Sequence, residues 1–476
     1  MSTTQIYQQA RLSRDVRFDG KFYTAVITTG IFCRPVCPAR PPKPENVRYY
    51  SNAMQAQEAG FRPCLRCLPE LAPQASPPIE IKKLCKALES GIKLPILSQQ
   101  FSLSERQIRR LFVKHYGLSP IKYLANQKLL LARRLLKTTQ LSITDVAFAS
   151  GYSSVRRFNE AIKQAYQCSP SDCRKESKPT KLAHIEVSLP YREPFDWPLM
   201  LSFFQKRQLV NVEHVSDSEY CRTISINGCK GWFSVSKTNN KSALLLKVQL
   251  EDYRYLNKVI QGVRQMFDLD TDMQQIHQTL IKHPSLAKVI AQTPGLRLPG
   301  CWDIFEFSIR AILGQQISVK GATTLANRIA VKYGSLCADN PYGLTHTFPC
   351  ADELSKAEYQ DIGLTRSRIS TLKNWLEFYQ QDEQIFHYYA SLDALEQQLI
   401  KIKGIGPWTV NYLAMRGLSD PDAFPSADLG IIKALTVNDE KPTNKDILAL
   451  SEQWRPWRAY AAIYLWQSLA IAPTKN

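Results

Sequence analysis

The chain has 476 residues, with 61 Lys and Arg against 42 Asp and Glu and a formal net charge of +19. That length suggests three or four domains, enough for several packed cores. The first residues, MSTTQIYQQARLSRDVRF, lack the apolar core of a secretion signal, and no run of about 18 apolar residues occurs anywhere, so neither secretion nor a membrane span is expected.

The expected location is therefore cytoplasmic, where cysteines stay reduced. Charge is unevenly spread. Residues 1–180 hold 29 Lys and Arg against 12 Asp and Glu, a net of +17, which leaves +2 for the remainder. A basic first third points to a polyanion. Nucleic acid fits better than an anionic membrane surface, because no segment reads as an amphipathic lipid anchor. Association with the nucleoid is expected.

Residues 32–40, FCRPVCPAR, and 62–69, RPCLRCLP, give the spacing Cys-X3-Cys-X26-Cys-X2-Cys. Two short-spaced thiol pairs joined by such a loop suit one tetrahedral Zn2+ held by Cys33, Cys37, Cys64 and Cys67. Spacing alone leaves a purely structural zinc finger open. The other eight cysteines (Cys85, Cys168, Cys173, Cys221, Cys229, Cys301, Cys337, Cys350) stand singly and are expected to pack as small apolar residues. PELAPQASPP, residues 69–78, closes the module with a proline-rich break, and KESKPTKL, residues 175–182, is a second break.

Between the breaks lie two similar helix-turn-helix patterns. The first, ILSQQFSLSERQIRRLFVKHYGLSP, has a capping box from Ser104 to Gln107, with Ile108, Leu111 and Phe112 on one face of the helix that follows. Arg106, Arg109, Arg110 and Lys114 fall on the other faces. The second, SITDVAFASGYSSVRRFNEAIKQAYQCSP, has Gly151 at a helix end and a helix from near Ser153 that exposes Arg156, Arg157 and Lys163. Taken singly, each charged helix reads equally well as a solvated face. As a tandem pair they resemble the AraC-type DNA-binding domain. That resemblance implies recognition helices at 104–115 and 153–165 entering successive major grooves, with RNA polymerase as a partner at promoters.

The stretch FDGKFYTAVITTGIFCRPVCPARPPKPENVRYYSNAMQAQEAGFRPCLRCLPE resembles the N-terminal domain of the Ada methylation-response family. By that resemblance the four thiolates hold zinc, and Cys33 accepts a methyl group irreversibly from a methylated DNA phosphate. Arg34, Arg40, Arg48, Arg62 and Arg66 would supply phosphate contacts. Ada proteins commonly carry a second acceptor domain marked by Pro-Cys-His-Arg. That motif is absent, since Cys301 sits in GCWD, Cys337 in LCAD and Cys350 in PCAD, so alkylguanine repair is not expected.

From about 183 to 255 the texture changes to β-branched and aromatic runs with turn signals, as in RTISINGCKGWFSVSKTNNKSALLLKVQL, which reads as an antiparallel sheet. Helical periodicity then returns. In LIKIKGIGPWTVNYLAMRG, Gly404 and Gly406 permit a tight hairpin between helices, and Pro407 suits the first helical turn. Alone, this reads more readily as a plain helix connection. FPSADLGIIKAL adds Asp428, 22 residues after Gly406; taken alone, it would be a helix cap.

Together these stretches resemble the helix-hairpin-helix glycosylases, most closely the AlkA type. FDWPLMLSFFQKRQLVNVE, RAILGQQISVKGATTLANRIA and WRPWRAYAAIYLWQSLA extend the likeness over residues 183–472. The resemblance implies Asp428 as the catalytic carboxylate and Trp408, Tyr412 and Trp466 as an aromatic pocket for a cationic alkylated base. Gly404 and Gly406 would contact a DNA phosphate, and Gln316 would fill the gap left by the flipped nucleotide. Lyase-type relatives carry a lysine where Trp408 stands, so base release without strand cleavage is expected.

The expected architecture is multidomain and mainly α, with a small zinc module and an α+β antiparallel sheet domain. Its parts are a zinc-binding methyl acceptor at 1–75, tandem helix-turn-helix at 80–176, sheet domain at 183–295 and glycosylase domain at 296–476. The resemblances imply a monomer acting on double-stranded DNA, at alkylated sites and promoters, without a membrane partner. A methylation-activated transcription factor whose glycosylase half only binds damaged DNA remains open, as does a zinc-stabilised DNA enzyme with no regulatory role.

Overall fold

The computed structural model describes residues 2–64, 66–67, 69, 72, 79–174, 184–239, 241–337, 340–386, 389 and 391–471. Most of the first expected break and all of the second lie outside the described residues. The chain forms two compact units, Met1–Arg192 with Thr238–Ile260, and Glu193–Lys237 with Gln261–Asn476.

The first unit begins with helix α1 (Thr3–Leu12), whose Ser2 cap forms a capping box with Gln5. Four short strands follow: β1 (Tyr23–Val26), β2 (Ile31–Cys33), β3 (Val47–Tyr50) and β4 (Arg62–Pro63), in the order β3-β1-β2-β4. Gly30, at φ +65°, turns the β1–β2 hairpin. Strand β4 runs parallel to β2, and Cys64 N–H donates to the Phe32 carbonyl at 2.9 Å. This pairing sets the second cysteine pair beside the first. The apolar core here is small: Tyr23, Ala25, Phe32, Ala53 and Ala56, with Tyr50 and Phe61 against it. A module with so little to bury needs another source of stability.

Five of the seven helices between Ile79 and Arg174 carry the two helix-turn-helix units. They are α3 (Leu94–Gln100), α4 (Glu105–Tyr116), α5 (Pro120–Thr138), α6 (Ile143–Ala149) and α7 (Val155–Tyr166), after α2 (Ala53–Glu58) of the zinc module. The Ser104–Gln107 capping box is present in both directions, and Gly117 ends α4 at φ +73°. Ile108 and Phe112 are buried, whereas Leu111 is only half-buried. The second recognition helix starts later than Ser153, because the Ser154 hydroxyl accepts the Arg157 N–H and makes Ser154 the N-cap. Helix α2 lies against α4 and α5: Asn52 Nδ2 donates to the His115 carbonyl at 3.3 Å and Asn126 Nδ2 to Gln57 Oε1 at 2.7 Å.

Five further strands follow: β5 (Ile185–Pro190), β6 (Glu213–Val215), β7 (Glu219–Ile226), β8 (Cys229–Lys237) and β9 (Ala243–Leu250). In the first unit β5 pairs antiparallel with β9, Ile185 opposite Val248. In the second unit β6, β7 and β8 form an antiparallel meander. Asn227 and Gly228, both at positive φ, join β7 to β8, the Asn-Gly turn that matches strand twist.

The rest of the second unit is helical. The helices that carry the site are α8 (Trp197–Gln205), α9 (Ile304–Leu313), α10 (Val319–Tyr333), α11 (Arg366–Gln381), α12 (Leu392–Leu399), α13 (Pro407–Tyr412), α14 (Leu429–Leu435) and α15 (Arg458–Ile471). Helix α13 continues into a π-helical turn, Leu413–Gly417. One apolar core joins α9 to α15, with Ile312, Leu313, Trp375, Leu413, Ala461 and Tyr464 essentially inaccessible. Burying each such large side chain contributes roughly 1.5–3 kcal/mol. Among the described residues no helix is long and apolar enough to cross a membrane.

Candidate active site and metal centre

The Sγ atoms of Cys33, Cys37, Cys64 and Cys67 all lie within 4.8 Å of one another. Zinc with four thiolates at about 2.3 Å sets neighbouring sulfurs about 3.8 Å apart, so the donor set fits one tetrahedral Zn2+. Cys64 and Cys67 are buried, and Cys33 and Cys37 are half-exposed. Only the first pair is open to a reaction partner.

Arg34 has another occupation than a phosphate contact. Its guanidinium forms a two-pronged ion pair with the buried carboxylate of Asp19 and donates to the Cys67 carbonyl at 3.2 Å. Its backbone N–H points at Cys67 Sγ, 3.3 Å away. Arg34 thus stitches the module together, while Arg40, Arg48 and Arg66 are exposed and Arg62 is half-exposed. Asp19, which makes this possible, was not apparent from the sequence.

On the recognition helices Arg106, Arg109, Arg156 and Arg157 are all exposed. Two of them rest on acidic neighbours one turn away, Arg109 on Glu105 at 2.9 Å and Arg156 on Glu160 at 3.0 Å. Exposed pairs of this kind contribute only a few tenths of a kcal/mol and yield readily to a phosphate.

A cavity of about 390 Å³ opens in the second unit, and Asp428, Trp408, Tyr412 and Trp466 all line it. Asp428 is the N-cap of α14, so the helix-cap reading and the site reading are both met by one residue. Its Oδ1 accepts the Gly430 N–H at 2.8 Å, the Ile431 N–H at 3.2 Å and the Trp466 indole N–H at 2.9 Å. Its Oδ2 accepts the Trp408 indole N–H at 3.0 Å. Four donors from three elements fix the carboxylate. A Cβ on Gly430 would stand 2.8 Å from Trp466 Cδ1 and 3.0 Å from Asp428 Oδ1, so only glycine lets the cap and the indole meet.

The tryptophans therefore hold the carboxylate as well as forming walls. Trp408 stacks on Tyr412, centroids 5.1 Å apart and planes 12° apart. The π-helical turn places Arg416 beneath Tyr412, whose hydroxyl accepts from Arg416 Nη1 at 2.7 Å. Two guanidinium groups lie over the Phe203 ring, Arg207 at 3.8 Å and Arg416 at 4.3 Å from its centroid. Burial pulls Arg207 down to about 10. Burial pushes the Tyr412 phenol up, but Arg416 and Arg207 outweigh it and hold the phenol below its ordinary value.

The sequence pointed to an aromatic pocket awaiting a cation, yet part of that aromatic surface already faces the protein's own arginines. Arg207 and Arg416 stand inside stretches quoted for other residues; a charged residue within an apolar helical run was the available signal. A second charged group lining the cavity is self-contained: Arg222 pairs with Glu306 at 2.6 Å, Arg310 with Glu306 at 3.0 Å, and the Tyr220 hydroxyl donates to Glu213 at 2.6 Å.

Gln316 sits at the exposed tip of the loop between α9 and α10, at φ +59°. Its neighbour Gln315 anchors that loop to the hairpin, donating to the Gly404 carbonyl at 3.0 Å and Thr409 Oγ1 at 3.1 Å. Gly404, at φ +95°, has Thr371 Oγ1 only 2.1 Å from where a Cβ would be. Gly406 caps α13 with open space beside it, so a backbone could approach closely there.

Comparison with known proteins agrees with these features. Family profiles match at residues 6–70 (metal binding domain of Ada), 97–176 (helix-turn-helix domain) and 186–303 (AlkA N-terminal domain). Over 59% of its length the chain shares the fold of the 3-methyladenine DNA-glycosylase from Archaeoglobus fulgidus, at a TM-score of 0.53 and 20% identity, covering 96% of that chain. The chain is 30% identical to DNA-3-methyladenine glycosylase 2 of Escherichia coli over 60% of its own length and 98% of that protein's. It is 34% identical over 472 residues to a Mycobacterium tuberculosis protein named "Probable bifunctional transcriptional activator/DNA repair enzyme AlkA", covering 96% of this chain and 95% of that one. With four thiols gathered for zinc, paired helix-turn-helix units and a capped aspartate in an aromatic cavity, the chain belongs to the family of bifunctional transcriptional activator/DNA repair enzymes of the AlkA type.

Proposed function

We propose that this is a DNA alkylation-damage response protein. Residues 1–75 accept a methyl group from a methyl phosphotriester, 80–176 read promoter DNA, and 183–476 act as a monofunctional glycosylase on alkylated purines of the 3-methyladenine type. The names of its full-length and glycosylase relatives support this reading. The observation that carries it is Asp428, held by four N–H donors between two tryptophans in a cavity sized for a small ligand.

In the glycosylase step the damaged nucleotide leaves the duplex for the cavity, at a cost of a few kcal/mol that damage lowers. Trp408 and Trp466 flank the site. The Asp428 carboxylate stabilises the developing oxocarbenium-like sugar and takes the proton of the attacking water. Trp408 stands where a lysine would form a Schiff base, so the strand stays intact. Gln316 would occupy the vacated position in the duplex, and the Gly404–Gly406 hairpin would approach a phosphate.

In the acceptor step Cys33 Sγ attacks the methyl carbon. The S–CH3 bond forms as the O–CH3 bond breaks, and the phosphodiester leaves as an anion. Bound zinc keeps the thiolates deprotonated at neutral pH. Incubating the chain with N-methylated duplex and chromatographing free bases tests the central reading. Released 3-methyladenine, absent with Asp428→Asn, supports an enzyme. Tight binding without release favours a transcription factor whose second half only recognises damage.

A further inference from the structure

The helices that read promoter DNA are not free-standing. On α5 five successive residues, Ala132, Arg133, Arg134, Leu135 and Leu136, are all buried. Successive helical residues point about 100° apart, so five of them cover the whole circumference, and this part of α5 is enclosed all round. Part of the enclosure comes from the reader itself. Arg133 lies over the Tyr166 ring of α7 at 5.1 Å and donates to the Cys173 carbonyl at 3.4 Å. Strand β5, outside the helix-turn-helix, also packs against α5.

Helix α6 is covered from the same direction in the chain. The 3-10 turn Tyr253–Tyr255 packs against it. Asp252 caps that turn, accepting the Arg254 backbone N–H at 2.9 Å and the Arg254 Nε–H at 2.7 Å. Tyr253 and Tyr255 are half-buried. Burial and the Asp145 carboxylate of α6 both push the Tyr253 phenol up. Between the two contacts run β5 and β9. One face of this ribbon is fully buried at Val187, Leu189, Leu244, Leu246 and Val248. The other face, Glu186, Ser188, Leu245 and Lys247, has the composition of a solvated side, yet all four residues are half-buried. The ribbon and the turn fall within residues 183–476, the proposed glycosylase, but they share one compact unit with the reader.

We propose that the β5–β9 ribbon and the Tyr253–Tyr255 turn are a docking surface for the second helix-turn-helix unit of this same chain, engaging α5 and α6, and that the docking couples the promoter reader to the glycosylase sheet. This rests on the reading of 80–176 as a promoter reader and adds that the reader is not autonomous. The interface exists only while both sides are folded. Whatever stabilises one side therefore stabilises the other by the same amount. A reader joined only by a free linker would open without disturbing the ribbon.

The test is native-state hydrogen exchange on the full chain, read by mass spectrometry across a urea series below the unfolding transition. In wild type, peptides covering Ile143–Ala149 and Ile185–Pro190 should open with one urea dependence, as a single cooperative unit. Tyr253→Ala keeps the Asp252 cap of the turn and removes the phenol ring. It should speed exchange in Ile143–Ala149 about tenfold or more and leave the zinc-module strand Tyr23–Val26 unchanged. A reader that opens at lower urea than the ribbon would overturn the proposal. So would exchange in Ile143–Ala149 that ignores Tyr253→Ala. Where the variant loosens the whole chain, the wild-type urea comparison decides by itself. Absence of promoter binding, by contrast, would remove the reader's function and leave the interface standing.

Discussion

Asp428 does two jobs that a single substitution separates. Its Oδ1 caps α14 while both oxygens face the tryptophans of the cavity. Asparagine caps a helix about as well as aspartate, but its amide nitrogen would face the Trp408 indole N–H where Oδ2 now accepts, so Asp428→Asn should lower the urea midpoint modestly. On the proposed glycosylase mechanism it removes the charge that would balance the sugar cation, and release of 3-methyladenine should fall by about 10²-fold or more. DNA affinity should hold or rise, because a negative charge near phosphates is gone. Excision near the wild-type rate would remove Asp428 from the active site. The family resemblance singled out this residue, but its partners come from α13 and α15 and could not be read along the chain.

At the scale of elements, the buried ionic cluster ties strand β7 to helix α9 through Arg222 and Glu306. Removing one member leaves uncompensated charge. Glu306→Gln leaves Arg222 and Arg310 to share Glu213 alone, at 3.5 and 3.4 Å, and should cost roughly 3–5 kcal/mol, read as a lower denaturant midpoint. The recognition helices make a contrasting prediction. Arg156 and Arg157 stand exposed on α7, where they make only surface contacts, Arg156 with Glu160 at 3.0 Å and Arg157 with Ser153 at 3.5 Å. Arg156→Ala with Arg157→Ala should leave stability within about 0.5 kcal/mol but weaken promoter binding and reduce its salt slope by one to two contacts. An unchanged slope would place DNA elsewhere. Both helices were legible in the sequence because their caps and apolar stripes are local; only the N-cap shifted, to Ser154.

At the scale of the molecule, the zinc module and the glycosylase unit have separate cores. Chelation should unfold roughly residues 1–75, since so few apolar side chains are buried there. Helix α2 would then release α4 and α5, so promoter binding should weaken, while base release persists in chelator. Loss of base release in parallel with zinc would link the metal to the second unit. Methylation should act in the opposite sense. A thioether at Cys33 removes one negative charge near DNA; at about 7 Å and an effective dielectric near 20 that is roughly 2 kcal/mol, at least a tenfold gain in affinity. Salt should shrink the gain. Arg34, paired with Asp19, contributes little net charge to this balance, so Arg40, Arg48 and Arg66 should carry the salt dependence. Titrating a promoter fragment before and after methyl transfer, at two salt concentrations and beside Cys33→Ser, checks it; equal affinities at low salt would exclude the switch.

The sequence by itself determined whatever is written in short spacings. The cysteine pairs, the capping boxes, the Asn-Gly turn and the Gly-X-Gly hairpin each depend on backbone geometry over a few residues, and each stands in the fold. What only tertiary structure decided is who faces whom across long separations. Arg34 meets Asp19 instead of solvent, Trp466 reaches Asp428 from 38 residues away, and Arg207 and Arg416 both close on one phenylalanine. Those pairings set the charge and the hydrogen-bond direction inside the cavity. Local propensity carries no information about them, because the energy of a buried charge depends on partners that packing alone brings within reach.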